Sequence, residues 1–165
     1  MTPDSALDRL LAFSQAATGS LPSSASVTSV GIGWATVDLE RAAGELAADL
    51  GIPAARFVPG AGSEVLGARC LVVEAGLAAA IALVVLEPAT EGRLAATLAR
   101  VGEGPAAIWL ATASDNARDR NAASGGGLAT TPPRIGPFGV EALILAGPIH
   151  GPHLLLVSPP GTIHT

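Results

Sequence analysis

Residues 29–42 read SVGIGWATVDLERA, and within this stretch the pattern changes from that of a strand to that of a helix. Large and very small side chains alternate at first, so one strand face carries Val30, Ile32 and Trp34 and the other carries Ser29, Gly31, Gly33 and Ala35. Asp38 is a favourable N-cap residue, and the apolar residues after it recur at helical spacing as far as Leu50, before Gly51 and Pro53. The stretch therefore predicts a strand followed by an amphipathic helix.

The order of elements that begins here recurs once along the chain. Three strand-like runs follow the helix, and a linker helix over 90–101 leads through the turn GEGP into a second opening strand at 106–112. A weaker helix at 114–123 and short strands near 128–130, 140–146 and 153–157 complete the repeat. We predict an α+β fold with an N-terminal helix and linker (1–26), a first βαβββ module (27–88), a linker helix (89–104), a second βαβββ module (105–160) and a tail (161–165).

Composition narrows the possible functions. The chain has 165 residues, a net charge of -5 and no lysine among its nine basic residues, so it lacks the positive charge that nucleic-acid binding needs. It has one cysteine, no apolar run of membrane-spanning length and no basic start followed by an apolar core, so we expect a cytoplasmic protein without an internal disulfide or membrane contact. The 49% hydrophobic content, rich in small side chains, predicts close packing and a homodimer.

Four segments together carry a family resemblance. They are SVGIGWATVDLERA, IALVVLEP (81–88), GEGPAAIWLAT (102–112) and PHLLLVSPP (152–160). Their order and spacing resemble the vicinal oxygen chelate superfamily, in particular methylmalonyl-CoA epimerase and the glyoxalase-like proteins, over residues 27–160. The resemblance implies that the two modules place their sheets side by side in an open half-barrel cup, with a metal site at its base.

The resemblance also implies where a metal would be bound. The family holds a divalent ion through a His, a Glu, a His and a Glu on the first, fourth, fifth and eighth strands, and these positions fall here on Ser29, Val84, Ala107 and Leu155. None of the four supplies an imidazole or carboxylate, the groups that suit such an ion. We therefore expect no metal, no other cofactor and no metal-based epimerase or glyoxalase mechanism.

The three histidines are the first alternative source of chemistry. His153 lies two residues before Leu155, so alternation places it on the same face of the strand, where an imidazole can act as an acid-base group. His150 and His153 sit in the Gly/Pro-rich turn GPIHGPH, which favours hydrogen-bonded or exposed histidines over a metal pair. His164 lies in the tail.

Other candidate residues have a functional and a structural interpretation. Trp109 shares a strand face with Ala107 and would wall the cup, stacking on a ligand or simply packing. Arg134 lies in the predicted loop TTPPRIGPFG, where related folds approach acyl-CoA or carboxylate substrates, although it also fits an ordinary surface position. Cys70 suits a buried structural thiol. Glu74 and Glu141 are carboxylates whose facing the alternation leaves open.

Three hypotheses remain open. The first is a metal-independent glyoxalase-like protein that binds a small hydrophobic or acyl-type molecule in a cup lined by Ser29, Gly31, Gly33, Val84, Ala107, Trp109, His153 and Leu155, with Arg134 nearby. The second is a metal-free isomerase, epimerase or lyase that uses His153, and the third is a non-catalytic partner subunit. Because Trp109 is the only large side chain that alternation places on this face, we expect the cup to remain an open cavity.

Overall fold

The computed structural model describes residues 5–19, 21, 27–77, 81–112, 129–147, 149 and 151–158. The helices in these ranges are α1 (Ala6–Gly19), α2 (Leu39–Leu50) and α3 (Arg93–Val101), with a single 3-10 turn at Ala54–Arg56. The strands are β1 (Val27–Ala35), β2 (Val58–Pro59), β3 (Ala68–Leu77), β4 (Ile81–Pro88), β5 (Gly104–Thr112), β6 (Arg134–Gly136), β7 (Gly139–Leu143) and β8 (His153–Ser158). None of these helices is long and apolar enough to cross a membrane.

The eight strands form one mixed sheet in the order β2-β3-β4-β1-β5-β8-β7-β6. β1 pairs in parallel with β4, and β5 pairs in parallel with β8, while β1 and β5 are antiparallel neighbours at the centre. The two halves, β1–β4 and β5–β8, are therefore arranged in the same way. In each half the second strand of the module lies at the edge, followed by the third and the fourth, and the first strand lies at the centre of the sheet. The sheet curls into a half-barrel, which confirms the predicted α+β fold.

Two helices cover the convex face of the sheet. α2 begins at the N-cap Asp38, whose side chain accepts a hydrogen bond from Arg41 N at 3.0 Å, and ends at Gly51 in the left-handed conformation at φ 67. Its apolar stripe packs against one face of β1 and β4. This cluster contains Ile32, Trp34, Leu39, Ala42, Ala43, Leu46, Ala47, Leu83 and Val85. The helical spacing and the facing of Ile32 and Trp34 thus follow the sequence pattern.

The N-terminal helix α1 is part of the same body. A Gly/Ser/Pro-rich stretch separates it from β1 in sequence, yet Leu10 is buried in the α2 cluster and Ala17 is buried beside Ile108 of β5. The Arg9 guanidinium lies 4.9 Å from the centroid of the Trp34 ring and donates to the Glu103 backbone oxygen at 3.3 Å. α1 therefore completes the cover over the centre of the sheet.

The edge of the second half differs from the sequence prediction. Thr130 forms only an isolated bridge to Ile144, and the edge strand β6 begins after Pro133, within the segment predicted to be a loop. Proline has no N–H to donate, so the Pro132–Pro133 pair separates the Thr130 bridge from the continuous ladder of β6. The prediction that Arg134 lies on a loop is wrong, because Arg134 is the first residue of β6.

The glutamates of the LEP and GEG segments hold the beginning of α2. Leu39 N donates to Glu87 Oε2 at 3.0 Å, and Val37 N donates to Glu103 Oε1 at 2.9 Å. Glu103 Oε1 also accepts from Thr36 Oγ1 at 2.7 Å and from Arg41 Nη2 at 2.6 Å. Because N–H groups at a helix start have no partner within the helix, these carboxylates stabilise the junction between β1 and α2.

Replacing Glu103 with Gln is expected to make the protein less stable above the ordinary carboxyl pKa. The bond from Val37 N–H, aided by those from Thr36 and Arg41 and opposed by burial, lowers the pKa of Glu103 from 4.5 to about 2. This stabilisation is therefore complete above pH 4.5 and is lost as the pH falls towards 2. Urea unfolding should show a loss of about 1 kcal/mol near neutrality that vanishes in acid.

Glu45→Gln is the matched control, because Glu45 forms an exposed salt bridge with Arg41 on one helix turn and does not reach the junction between β1 and α2 through any hydrogen bond of the described residues. Its unfolding curve should move less than that of Glu103→Gln at neutral pH. An equal effect of the two variants, or a Glu103→Gln deficit that persists in acid, would show that Glu103 does not hold this junction.

Candidate functional site on the concave face

The concave face of the sheet carries the largest group of predicted site residues. Val84, Ala107, Trp109 and Leu155 are fully buried there in one apolar cluster. His153 is the register partner of Ala107 in the parallel β5–β8 pair, so it lies on the same face. Gly31 and Gly33 of β1 face this cluster as well. The structure thus brings together all the predicted cup residues except Ser29 and Arg134.

The placement of Ser29 in the cup is wrong. A register irregularity lies between Ser29 and Gly31, where Ser29 is opposite Leu110 while Gly31 is opposite Trp109. Leu110 belongs to the cluster beneath α1, and Val30 packs in the concave cluster. The extra residue of a β-bulge reverses the facing of the strand before it, so Ser29 lies on the side of α1.

Trp109 lies against a strip of backbone that has no side chains. A Cβ atom at Gly33 would come within 2.9 Å of Trp109 Cζ3 and within 2.8 Å of Leu86 Cδ1. A Cβ atom at Gly31 would lie 3.5 Å from the same indole ring. The glycines of β1 therefore make room for an aromatic ring that the chain itself supplies.

Phe138 fills the remaining space above Trp109. It lies in the turn between β6 and β7, and its ring packs edge-on against Trp109 with centroids 5.4 Å apart. A Cβ atom at Gly31 would meet the Phe138 ring at 2.5 Å. The expectation of an open cavity at Gly31 is therefore wrong, because a turn residue outside the strand alternation reaches into the cup.

A buried carboxylate anchors this aromatic pair. Glu141 of β7 is 1% exposed, and its Oε2 accepts a hydrogen bond from Trp109 Nε1 at 2.6 Å. Its Oε1 accepts from Ser63 Oγ at 2.5 Å. Burial raises the pKa of Glu141, although both hydrogen bonds act in the opposite direction. The sequence left the facing of Glu141 open, and it gave no signal for Ser63.

The same loop that supplies Ser63 joins the two halves of the sheet across the mouth of the cup. Glu64 N donates to the Ile135 backbone oxygen at 3.0 Å, so the segment before β3 is bonded to the edge strand β6. Together with the contact between Ser63 and Glu141, this bond draws the two ends of the curled sheet towards each other. The cup is consequently closed at its mouth as well as filled.

His153 lies on the predicted face but beneath α3. It is 2% exposed, and its Nε2 is 2.8 Å from Thr97 Oγ1. Thr97 Oγ1 is also hydrogen-bonded to the Arg93 backbone oxygen at 2.9 Å, and the tautomer of His153 decides which of the two side chains donates to the other. A pocket of about 230 Å³, which Arg93 also lines, adjoins His153. The ring is thus held in one orientation at the α3 end of the concave face.

The remaining candidates fall outside this cluster. Arg134 is exposed on the edge strand, and Glu74 is exposed on β3. Cys70 is buried as predicted and donates to the Ala61 backbone oxygen at 3.1 Å, and desolvation raises its pKa to about 11. His150, His164 and the predicted helix at 114–123 lie outside the described residues.

The chain does not fit the metal that the resemblance implies. Val84, Ala107 and Leu155 have no donor atom and are fully enclosed, and Ser29 faces away from them. Within the ranges that the structure describes, no group of three or more His, Cys, Asp or Glu side chains could hold an ion. The buried carboxylate of the concave face, Glu141, already accepts hydrogen bonds from Ser63 and Trp109.

Solved structures with the same architecture include methylmalonyl-CoA epimerases and a hypothetical protein. The epimerase of Mycobacterium tuberculosis superposes with a TM-score of 0.66 at 20% identity, covering 87% of this chain and 96% of that one. The chain has the vicinal oxygen chelate fold. The Streptomyces coelicolor epimerase gives a TM-score of 0.61 at 25% identity, covering 82% and 100%. A hypothetical protein from Bacillus halodurans gives 0.63 at 17%, covering 85% and 99%. No family model and no curated sequence matches the chain.

Alanine at the two inner glycines is expected to have unequal effects. Gly33→Ala presses on Leu86, Trp109 and Ala107, which are all buried, and should destabilise the protein by about 1–3 kcal/mol. Gly31→Ala presses mainly on the outer end of the Phe138 ring, which a turn residue can withdraw, so its effect should be smaller. Urea unfolding measures both.

The double variant Gly31→Ala/Phe138→Ala tests the cause. Removing the ring should remove the penalty of Gly31→Ala, giving a coupling energy of about 0.5 kcal/mol or more between the two positions. Strictly additive effects would show that Phe138 does not occupy the space over Gly31.

Proposed function

We propose that this protein binds a small, mainly apolar or acyl-type molecule on its concave face without a metal ion. The observation that carries the proposal is the way the cup is filled. Trp109 is fully buried and anchored to Glu141, whereas Phe138 is only half-buried and lies on a turn beside the edge strand β6. A ligand can take the place of the Phe138 ring without disturbing the rest of the apolar face.

The solved relatives support this class of ligand. The Streptomyces coelicolor epimerase is described in complex with 2-nitronate-propionyl-CoA, an acyl-CoA compound. The concave face here offers apolar side chains from both halves of the sheet, which suits an acyl chain or another hydrophobic group. The absence of side-chain donor atoms at Val84, Ala107 and Leu155 supports the proposal of metal independence.

A non-catalytic partner subunit is the second candidate, and the filled cup favours it. Exposed apolar side chains of the outer hairpin, Ile135 and Val140, support contact with another chain, and we retain a homodimer as part of the proposal. The enzyme hypothesis, a metal-free isomerase or lyase that uses His153, stays a prediction. Its histidine is held by Thr97 beneath α3.

Phe138→Ala is expected to bind a small apolar probe more tightly than the wild type. With phenylpropanol as the probe, calorimetry should show a gain of about tenfold, or about 1.4 kcal/mol, because the ligand no longer has to displace the ring. The affinity should not change after dialysis against a metal chelator.

Phe13→Ala is the matched control, since Phe13 is a half-buried ring that packs on the α1 side of the sheet. It should leave the affinity for phenylpropanol at the wild-type value. No binding by Phe138→Ala would contradict the proposal and favour the partner subunit. Affinity that is lost with chelator and restored by a divalent ion would contradict metal independence.

A further inference from the structure

One buried carboxyl group, that of Glu141, lies at the polar centre of the concave face. Burial raises its pKa, the hydrogen bonds from Ser63 and Trp109 lower it, and the charge of Glu64 raises it further. Glu141 is 1% exposed, and the described residues include no cationic side chain that forms a salt bridge with it. Its two hydrogen bonds come from Ser63 and Trp109, which are neutral. A buried carboxylate without a counter-ion is uncommon, because desolvation opposes its charge unless a partner compensates.

The hydrogen bonds around Glu141 show which protonation state they serve. Leu66 N donates to Ser63 Oγ at 3.2 Å, so the Ser63 hydroxyl has its proton available for Glu141. The Trp109 indole N–H is a donor only. Each carboxylate oxygen of Glu141 therefore accepts a hydrogen bond, one from the Ser63 hydroxyl and one from the Trp109 indole N–H. Both hydrogen bonds favour the ionised form of Glu141 over the protonated form.

Arg134 is the nearest potential counter-ion by register. It lies opposite Glu141 in the β6–β7 ladder, but its side chain is exposed and forms no salt bridge with Glu141. The ring that a ligand would replace, Phe138, packs on the same indole that donates to Glu141. A ligand that replaced this ring and extended inward past the indole would bring its inner end towards the carboxyl group of Glu141.

We propose that Glu141 determines the class of ligand: the site takes an apolar group that ends in a hydrogen-bond donor, above all an ammonium, and rejects one that ends in a carboxylate. This proposal rests on the proposed function. An ammonium would supply the missing opposite charge, while a second carboxylate would meet a like charge in a dry site, where such repulsion is strong. Among acyl-type ligands, the site would therefore accept those that carry no free carboxylate at the end buried next to Glu141.

The test compares three probes of one shape, phenylpropylamine, phenylpropanol and phenylpropanoate, in the full-length Phe138→Ala protein. We expect the amine to bind at least ten times more tightly than the propanoate, with the alcohol between them. The preference should persist at about 1 M salt, where charges at the surface are screened beyond about 3 Å.

Glu141→Gln keeps the shape of the side chain and removes the charge, so it should reduce the ratio of amine to propanoate affinity to within about threefold. Glu74→Gln, at an exposed carboxylate of the same chain, is the control and should leave the ratio unchanged. The comparison of the three probes in Phe138→Ala, which retains Glu141, is a test by itself. It therefore remains valid if Glu141→Gln does not fold.

The outcomes separate this inference from the proposed function. If the alcohol binds but the propanoate binds as tightly as the amine, the ligand class is wrong and the binding function stands. A preference for the amine that survives in Glu141→Gln also overturns the role of Glu141. A preference that appears only in Arg134→Gln shows that Arg134 already neutralises the carboxylate, and it contradicts the inference. If none of the three probes binds, both proposals fail.

Discussion

The requirement to satisfy a buried indole N–H organises the inner face of this protein. Trp109 can occupy the centre of the sheet because Gly31 and Gly33 leave the inner face of the neighbouring strand β1 without side chains. Once enclosed, its N–H must find an acceptor, and Glu141 supplies one at 2.6 Å. The carboxyl group of Glu141 lies so close to Gly136 that no side chain can fit there, and it requires Ser63 for its second oxygen. One aromatic side chain thus fixes residues from β1, β6, β7 and the loop before β3.

The residues that carry the family resemblance maintain the fold. Glu87 and Glu103 lie next to the two central strands, where carboxylates suggest chemistry, but their oxygens accept hydrogen bonds from the start of α2. Asp38 caps the same helix. Glu87, Glu103 and Asp38 are therefore needed as hydrogen-bond acceptors for the N–H groups at the start of α2, and this need is independent of any reaction. A chain can therefore keep this motif whichever side chains stand at Val84, Ala107 and Leu155, the positions where the resemblance implies metal ligands.

Much of the fold follows from local sequence patterns, while the site depends on contacts that local patterns do not specify. Strand alternation correctly placed Ala107, Trp109, His153 and Leu155 on one face, because β5 and β8 are regular and pair in register. It failed at Ser29, since a β-bulge changes the facing without changing the composition. It also missed Phe138, which reaches into the cup from the turn between β6 and β7 and so lies outside any strand pattern. The partner of Glu141, Ser63, is 78 residues away in sequence, and only the closed sheet brings them together.

The most direct test of a filled, anchored cup is hydrogen exchange at the Trp109 indole N–H, measured by NMR. The protein has two tryptophans, so the Trp34→Phe variant assigns the signal by leaving Trp109 alone. We predict that the indole proton exchanges far more slowly than in an open site, because it is fully buried and bonded to Glu141, and that it loses protection in Glu141→Ala, which removes the acceptor. Exchange at the rate of a solvent-exposed indole in the wild type would contradict it.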